Sequence, residues 1–424
     1  MQEDFLHYLW KHKKFTTQGL KTAKQEAVTI INVGEHNHNT GPDFFNAQLK
    51  IEEQLWAGNV EIHIKSSDWF VHNHETDSNY DNVILHVVWE HDTEIFRKDN
   101  SEISTLELKQ YVSKEALANY QKLFSTVQKW INCEKDFAKV EDFTINNWLE
   151  RLYFERLERK ASYIEKILKQ NTNDWEAVLF KLLAKNFGLK VNGEAFLSVA
   201  NAFDFSVVRK QQSKLSSLEA LLFGQANLLE ESFQEPYYLE LQKEYAFLKQ
   251  KFSLNTEHII PLQFFRLRPP NFPTIRLSQL ANVFYENPNL FSEIIKAKSL
   301  ETFYDLFSVG TSTFWDTHYT FGKVSKTSKK QVTKSFIDLL IINTIIPLKF
   351  SYAKQMGKTV DDEILQLMQQ IAPEKNSVIE KFNSLKPVSK SALQSQALLQ
   401  LKAEYCDKNR CLQCAIGNTV LNRT

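Results

Sequence analysis

Two stretches near the N-terminus, Phe44 to Ile51 and Trp56 to Lys65, alternate apolar and polar side chains, with a polar Glu52-Glu53-Gln54 break between them. A period of two interrupted by a short polar segment predicts an antiparallel hairpin. Ala57-Gly58-Asn59 supplies a turn signal near the junction. On the second strand Glu61, His63 and Lys65 fall at alternate positions, with Val60, Ile62 and Ile64 between them. Strand geometry therefore puts acid, imidazole and ammonium on one face and three aliphatics on the other. Asp43 stands at the mouth of the first strand, where an in-register hairpin brings it near Glu61. Val28 to Val33 predicts another strand. The nearly all-apolar run 82–90 predicts a central strand covered on both faces, and weaker strands are expected near 95–98 and 103–108. Residues 2–12 predict an amphipathic helix with Phe5, Leu6, Leu9 and Trp10 on one side.

Past Ser113 the apolar period lengthens to three and four, and strand signals nearly vanish. Helices are predicted at 113–130, 142–169, 174–186, 193–203, 214–224 and 236–252. Others follow near 276–286, 290–307, 333–356, 359–371, 376–386 and 390–405. The proline-dense segment Pro261 to Pro273 breaks the helical part in two. The expected organisation is an α+β N-terminal domain with a mixed sheet at 1–112, a helical domain at 113–260 and a second helical domain at 261–424 that ends in a cysteine cluster.

The chain has 424 residues, 43% of them hydrophobic, enough for two or three packed domains. Lys plus Arg and Asp plus Glu both total 51, so any polyanion site must be a local patch. Only 11 glycines occur, with neither a Walker loop nor a GxGxxG, which disfavours the common phosphate cradles. The N-terminal MQEDFLHYLWKHKKF lacks the apolar core of a signal peptide. The apolar run Phe336 to Leu348 reads as a buried helix too short to span a membrane. Four cysteines in a chain of this kind fit a reducing cytoplasm better than a disulfide scaffold.

Nine of the 11 histidines lie within the first 91 residues, which places the expected site in the N-terminal domain. Two acids entering from paired strands can hold Mg²⁺ or Mn²⁺ through oxygen, and the cation can then polarise a phosphodiester and acidify a bound water. Asp43 and Glu61 suit the metal-ligand role, and His63 or Lys65 the role of orienting the water. A second cluster, Asp68, His72, His74, Asp77, Asp81 and His86, contains an H-x-H with neighbouring carboxylates. It could bind Zn²⁺, Mn²⁺ or Fe²⁺ directly or support the hairpin site from behind. Its bland alternative is polar loop packing, as a solvated polar face is for the hairpin. Cys406, Cys411 and Cys414, spaced C-x4-C-x2-C, could close a four-thiolate zinc or iron–sulfur site with the distant Cys133, or remain inert buried thiols. Arg266, Arg268 and Arg276 around the proline break could grip phosphate, and Lys323, Lys326, Lys329, Lys330 and Lys334 could add screened attraction to DNA or RNA. Each could equally brace packing or face solvent.

GPDFFNAQL followed by NVEIHIK resembles the core of the PD-(D/E)XK nuclease superfamily, a hairpin with an Asp at one strand's start and D/E-x-K on the next. The resemblance implies a restriction-endonuclease-like sheet and metal-dependent phosphodiester hydrolysis in DNA or RNA. The chain departs from the pattern in carrying His63 two residues after Glu61, with lysine only at Lys65. Some nucleases of that superfamily staple their chain ends with one upstream and three downstream cysteines. Over most of its length the chain also resembles an uncharacterised bacterial domain-of-unknown-function family through GPDFFNAQL, VEIHIKSSDW, HNHETDSNYDNVILHVVWE, RPPNFPTIRL and YCDKNRCLQCAIG. The leading expectation is thus a metal-dependent nuclease. The alternatives are a non-catalytic nucleic-acid-binding or scaffold protein and a His/Asp metallohydrolase built on His72, His74 and Asp77.

Overall fold

A computed structural model describes residues 1–37, 39–124 and 129–422. The part of the expected 113–130 helix at 125–128 lies outside the described residues. The elements near the site are α1 (Glu3–Lys11), β1 (Leu20–Lys21), β2 (Ala27–Asn32), β3 (Glu35–His36), β4 (Phe44–Ile51), β5 (Gln54–Lys65), α2 (Asp68–Val71), β6 (Val83–Glu90), β7 (Thr105–Glu107) and α3 (Lys114–Leu123). Among the described residues seven strands form one sheet in the order β1-β2-β4-β5-β6-β7, with β3 paired to β4. β4 and β5 are antiparallel, whereas β5, β6 and β7 run parallel, so the sheet is mixed as expected. Helices dominate the rest of the chain.

The hairpin forms over the predicted residues, with its turn at the expected polar break rather than at the nearby glycine. The chain reverses at Glu52 and Glu53, and Ala57-Gly58-Asn59 lies inside β5. Gly58 is there for closeness rather than turning: a Cβ on it would sit 2.5 Å from Ile84 Cγ2 and 2.6 Å from the Asn82 carbonyl. The β5–β6 register shifts next to it, between Asn59 and Val60. Val60 and Ile62 are buried, and so are Glu61 and His63 on the opposite face. The solvated polar face that the alternation allowed is therefore excluded. β6 is buried from Val83 to Val88, with His86 in its middle, as expected of a central strand.

Parallel strands cannot be joined by a tight turn, so the chain must cross over a sheet face between β5 and β6. The crossover is residues 66–82, anchored by Trp69 and Tyr80 in a buried cluster with Val83, Ile95 and Ile103. It contains α2 and two short 3-10 turns, and it carries His72 and His74. The segments expected as weak strands reduce to a Phe96–Glu102 bridge and the short β7.

By contacts the chain divides into two compact units rather than along borders at 112 and 260. One comprises residues 1–148, 381–387 and 400–424, the other 149–380 and 388–399. The first thus takes back the C-terminal segment: Asn422 Nδ2 donates to Tyr8 Oη at 3.0 Å, and Asn119 Nδ2 to the Leu421 carbonyl at 3.2 Å. Within the second, one continuous helix runs from Lys334 to Gln355 through a π segment at Ile341–Ile345. It matches the helix expected at 333–356, and at 22 residues it is long and apolar enough to cross a membrane, whereas the apolar run Phe336 to Leu348 alone is too short; it is mostly buried. Phe336 packs edge-on against Phe187 at 5.2 Å, and Asn186 bonds Thr344 at 2.8 Å.

Candidate metal centre

The register Phe44↔Val60 puts Asp43 and Glu61 side by side, as the in-register hairpin required. The Asp43 backbone N–H donates to Glu61 Oε2 at 3.0 Å, and the Ile62 N–H donates to Asp43 Oδ2 at 3.0 Å. The same Asp43 Oδ2 also meets His7 Nε2 of α1 at 3.1 Å. Burial works against charge on His7, yet the Asp43 carboxylate beside it, aided by Asp4 and Glu3, raises its pKa. For Glu61 the neighbours do not offset burial. Burial, reinforced by the charge of Asp43, lifts its pKa to about 9, so without a cation beside it this carboxyl holds a proton at neutral pH.

Two histidines close on Glu61, one from the strand and one from the crossover, and a third joins them through His63. His63 Nε2 lies 3.5 Å and His74 Nε2 3.3 Å from Glu61 Oε1. His63 Nε2 is also 3.0 Å from His72 Nδ1. The ligand atoms of His63, His72 and His74 all lie within 4.8 Å of one another. Two donors held at about 2.0–2.1 Å by one tetrahedral ion stand about 3.3 Å apart, and the separations of 3.5, 3.3 and 3.0 Å straddle that value. Burial, then the neighbouring His74 and His72, depresses His63 to a pKa of about 3, so it is a neutral imidazole with a lone pair to offer. Burial likewise lowers His74. Tyr80 stacks on the His74 ring at 3.8 Å, and Trp69 meets it edge-on at 5.3 Å. Exposure grades outward from buried His63 through half-buried His74 to exposed His72, which gives the cluster one solvent side.

Behind His63 stands His86, whose Nε2 is 2.8 Å from His63 Nδ1. Burial, with His63 and His74 nearby, holds its pKa well below the usual value. The tautomer that frees His63 Nε2 for a ligand bond has His63 Nδ1–H donating to His86 Nε2. His86 Nδ1 then keeps a hydrogen with no partner among the described residues, a cost on the order of 1–3 kcal/mol that a bond at His63 Nε2 must outweigh.

A family model described as "Protein of unknown function (DUF2851)" matches residues 3–377. The chain belongs to that family. No curated protein and no solved structure matches it. The matched span takes in every residue of the histidine–carboxylate cluster and Cys133, and it ends before Cys406, Cys411 and Cys414.

Of the residues singled out from sequence, the fold brings together Asp43, Glu61, His63, His72, His74 and His86. Asp68 and Asp77 serve the backbone instead: Asp68 Oδ2 accepts from the Lys65 N–H at 2.9 Å, and Asp77 Oδ1 from the Asn79 N–H at 2.9 Å. Lys65 is exposed at the end of β5, and no hydrogen bond or ion pair among the described residues joins its side chain to the cluster. Arg266 and Arg268 are exposed, Arg266 with its guanidinium 5.1 Å from the Phe265 ring centroid. Arg276 is buried, its fork taken by Gln279 Oε1 at 2.8 Å and Asn271 Oδ1 at 2.6 Å over the Phe336 ring, so it braces packing. Sequence reading missed His7, Trp69 and Tyr80. His7 arrives from a helix more than thirty residues away, and its sole local signal was a polar residue in an amphipathic pattern.

Proposed function

We propose that this protein is a metal-dependent hydrolase whose centre is Glu61, His63, His72 and His74, acting on phosphodiester bonds of nucleic acid. The observation that carries the reading is a buried carboxyl met by His63 and His74, with His72 beside them at ligand spacing, in a cluster open to solvent at one side. Imidazole suits zinc, iron and other transition ions better than Mg²⁺, so the nitrogen-rich set favours Zn²⁺, Fe²⁺ or Mn²⁺. A divalent ion held there would supply Lewis acidity toward the substrate oxygen and acidify water. The chain's own groups do the rest. His86 fixes the His63 ring, the usual role of a partner behind a metal-binding histidine. The His7–Asp43 pair holds a proton at the edge of the cluster, within reach of a leaving group. Trp69 and Tyr80 wall off water on the inner side. The phosphodiester assignment rests on the hairpin's acid pair and its likeness to the PD-(D/E)XK pattern, with His63 in place of its lysine.

The test is metal analysis of purified protein with a cleavage screen on single- and double-stranded DNA and RNA under Mg²⁺, Mn²⁺ and Zn²⁺. Cleavage that disappears in Glu61→Ala and His74→Ala supports the reading. Nucleic acid bound without cleavage under any metal would make the chain a binding module. Metal retained in full by both variants would remove the centre altogether.

A further inference from the structure

A second cluster lies elsewhere in the same unit. Cys133, Cys406, Cys411 and Cys414 line one internal cavity together with apolar groups such as Ile131 and Leu401. They are free thiols from two distant parts of the chain, and three of the four are buried. Packing alone does not need this arrangement, because a thiol offers a core little that an aliphatic does not, and four in one wall are costly to align.

The local structure is built around the sulfurs. The π segment Leu401–Cys406 ends on Cys406, and Cys411 opens a 3-10 turn that leads to Cys414, the residue before the helix Ala415–Leu421. Asn132 Nδ2 donates to Cys411 Sγ at 3.4 Å. The backbone N–H groups of Ile416 and Gly417 point to the Cys414 sulfur. N–H donors of this kind are what thiolates bound to a metal accept. Gly417 is required by closeness, since a Cβ there would lie 2.1 Å from the Cys411 carbonyl oxygen.

Spacing decides the class of metal group. A single zinc draws four sulfurs to about 3.8 Å from one another, at Zn–S of about 2.3 Å. Among the described residues the group spaced to hold a single metal ion is His63, His72 and His74, and none of the four sulfurs is in it. An iron–sulfur cube sets its four cysteine sulfurs farther apart, one on each iron. We propose that Cys133, Cys406, Cys411 and Cys414 ligate a [4Fe–4S] cluster that ties the C-terminal segment to the sheet-bearing unit. The tie bears on α1: Asn132 Nδ2 bonds Asn409 Oδ1 at 3.1 Å beside the cavity, and Asn422, one residue past the C-terminal helix, bonds Tyr8, the neighbour of His7.

The full chain, purified without oxygen, should be brown and contain about four iron and four acid-labile sulfide per molecule. Cys411→Ser and Cys133→Ser should each lose more than half of that iron, with far-ultraviolet dichroism reporting whether the chain still folds. His63→Ala should keep all of it, which separates this site from the histidine centre. One zinc per chain without sulfide, or protein free of both metals before and after anaerobic incubation with iron and sulfide, would overturn the cluster whatever the variants do.

Discussion

The two units each bury charged and polar side chains, but they treat them in opposite ways. In the helical unit Glu219 is 1% exposed, and its two oxygens accept hydroxyls from Ser278 and Ser312, each at 2.6 Å. Lys349 Nζ donates to the carbonyls of Ile294, Ile295 and Ala297 and pairs with Glu363 at 3.0 Å. Donor meets acceptor, and opposite charges meet. In the sheet unit two acids touch each other, and four imidazoles face one another across 3 to 5 Å contacts. A neutral imidazole brings one donor and one acceptor, and His86 Nδ1 is left without a partner among the described residues. The first arrangement satisfies its groups within the protein; the second is the one for which a cation is proposed.

The largest expected effect follows from removing a ligand. Glu61→Ala, His63→Ala and His74→Ala should each weaken Zn²⁺ or Mn²⁺ binding by at least about 100-fold, read by calorimetry or competition with a chelating dye. Binding within threefold of the parent in all three would equate the cluster with the helical unit's inert networks. Loading is next. At a hundred times its dissociation constant a cation that binds only the folded chain adds about 2.7 kcal/mol. The melting temperature should rise by several degrees with Zn²⁺ or Mn²⁺, and a chelator should reverse it. Superimposable melts would count against the centre.

A control from the other side sharpens the contrast. Ser278→Ala deprives Glu219 Oε1 of its donor and should cost about 2 kcal/mol in denaturant unfolding, while leaving metal binding unchanged. His86→Leu should do the reverse. It removes the ring that orients His63 and also the unpartnered Nδ1, so stability should hold or improve while metal affinity falls about tenfold.

What could be read from sequence follows from how local each signal is. The hairpin spans, the all-apolar β6 and most helices came from periodicity, which burial of neighbouring residues imposes directly. The turn falls at the polar Glu52-Glu53-Gln54 break, and the Ala57-Gly58-Asn59 signal misleads because glycine and asparagine mark both turns and close approaches; at Gly58 the neighbour is Ile84, which the hairpin's own sequence does not contain. His72 and His74 could be suspected from H-x-H. Their meeting with His63 depends on the crossover that parallel β5 and β6 demand, and that pairing is not written in either strand. His7 and the return of residues 400–424 come from long-range packing with no periodic trace, and so the C-terminal cysteines appeared to belong to a separate helical domain.

The smallest expected effect concerns Lys65, and it separates the sequence pattern from the geometry. By pattern alone either His63 or Lys65 could orient the attacking water, and the superfamily resemblance gives weight to a lysine. In the fold they part: His63 is buried beside His72 and His74 and backed by His86, whereas Lys65 ends the strand in solvent. Lys65→Ala should therefore leave metal content intact and change any cleavage rate only within about twofold, as an exposed substitution does. Loss of turnover with metal content unchanged would return the orienting role to Lys65 and show that substrate, once bound, draws the end of β5 into the site.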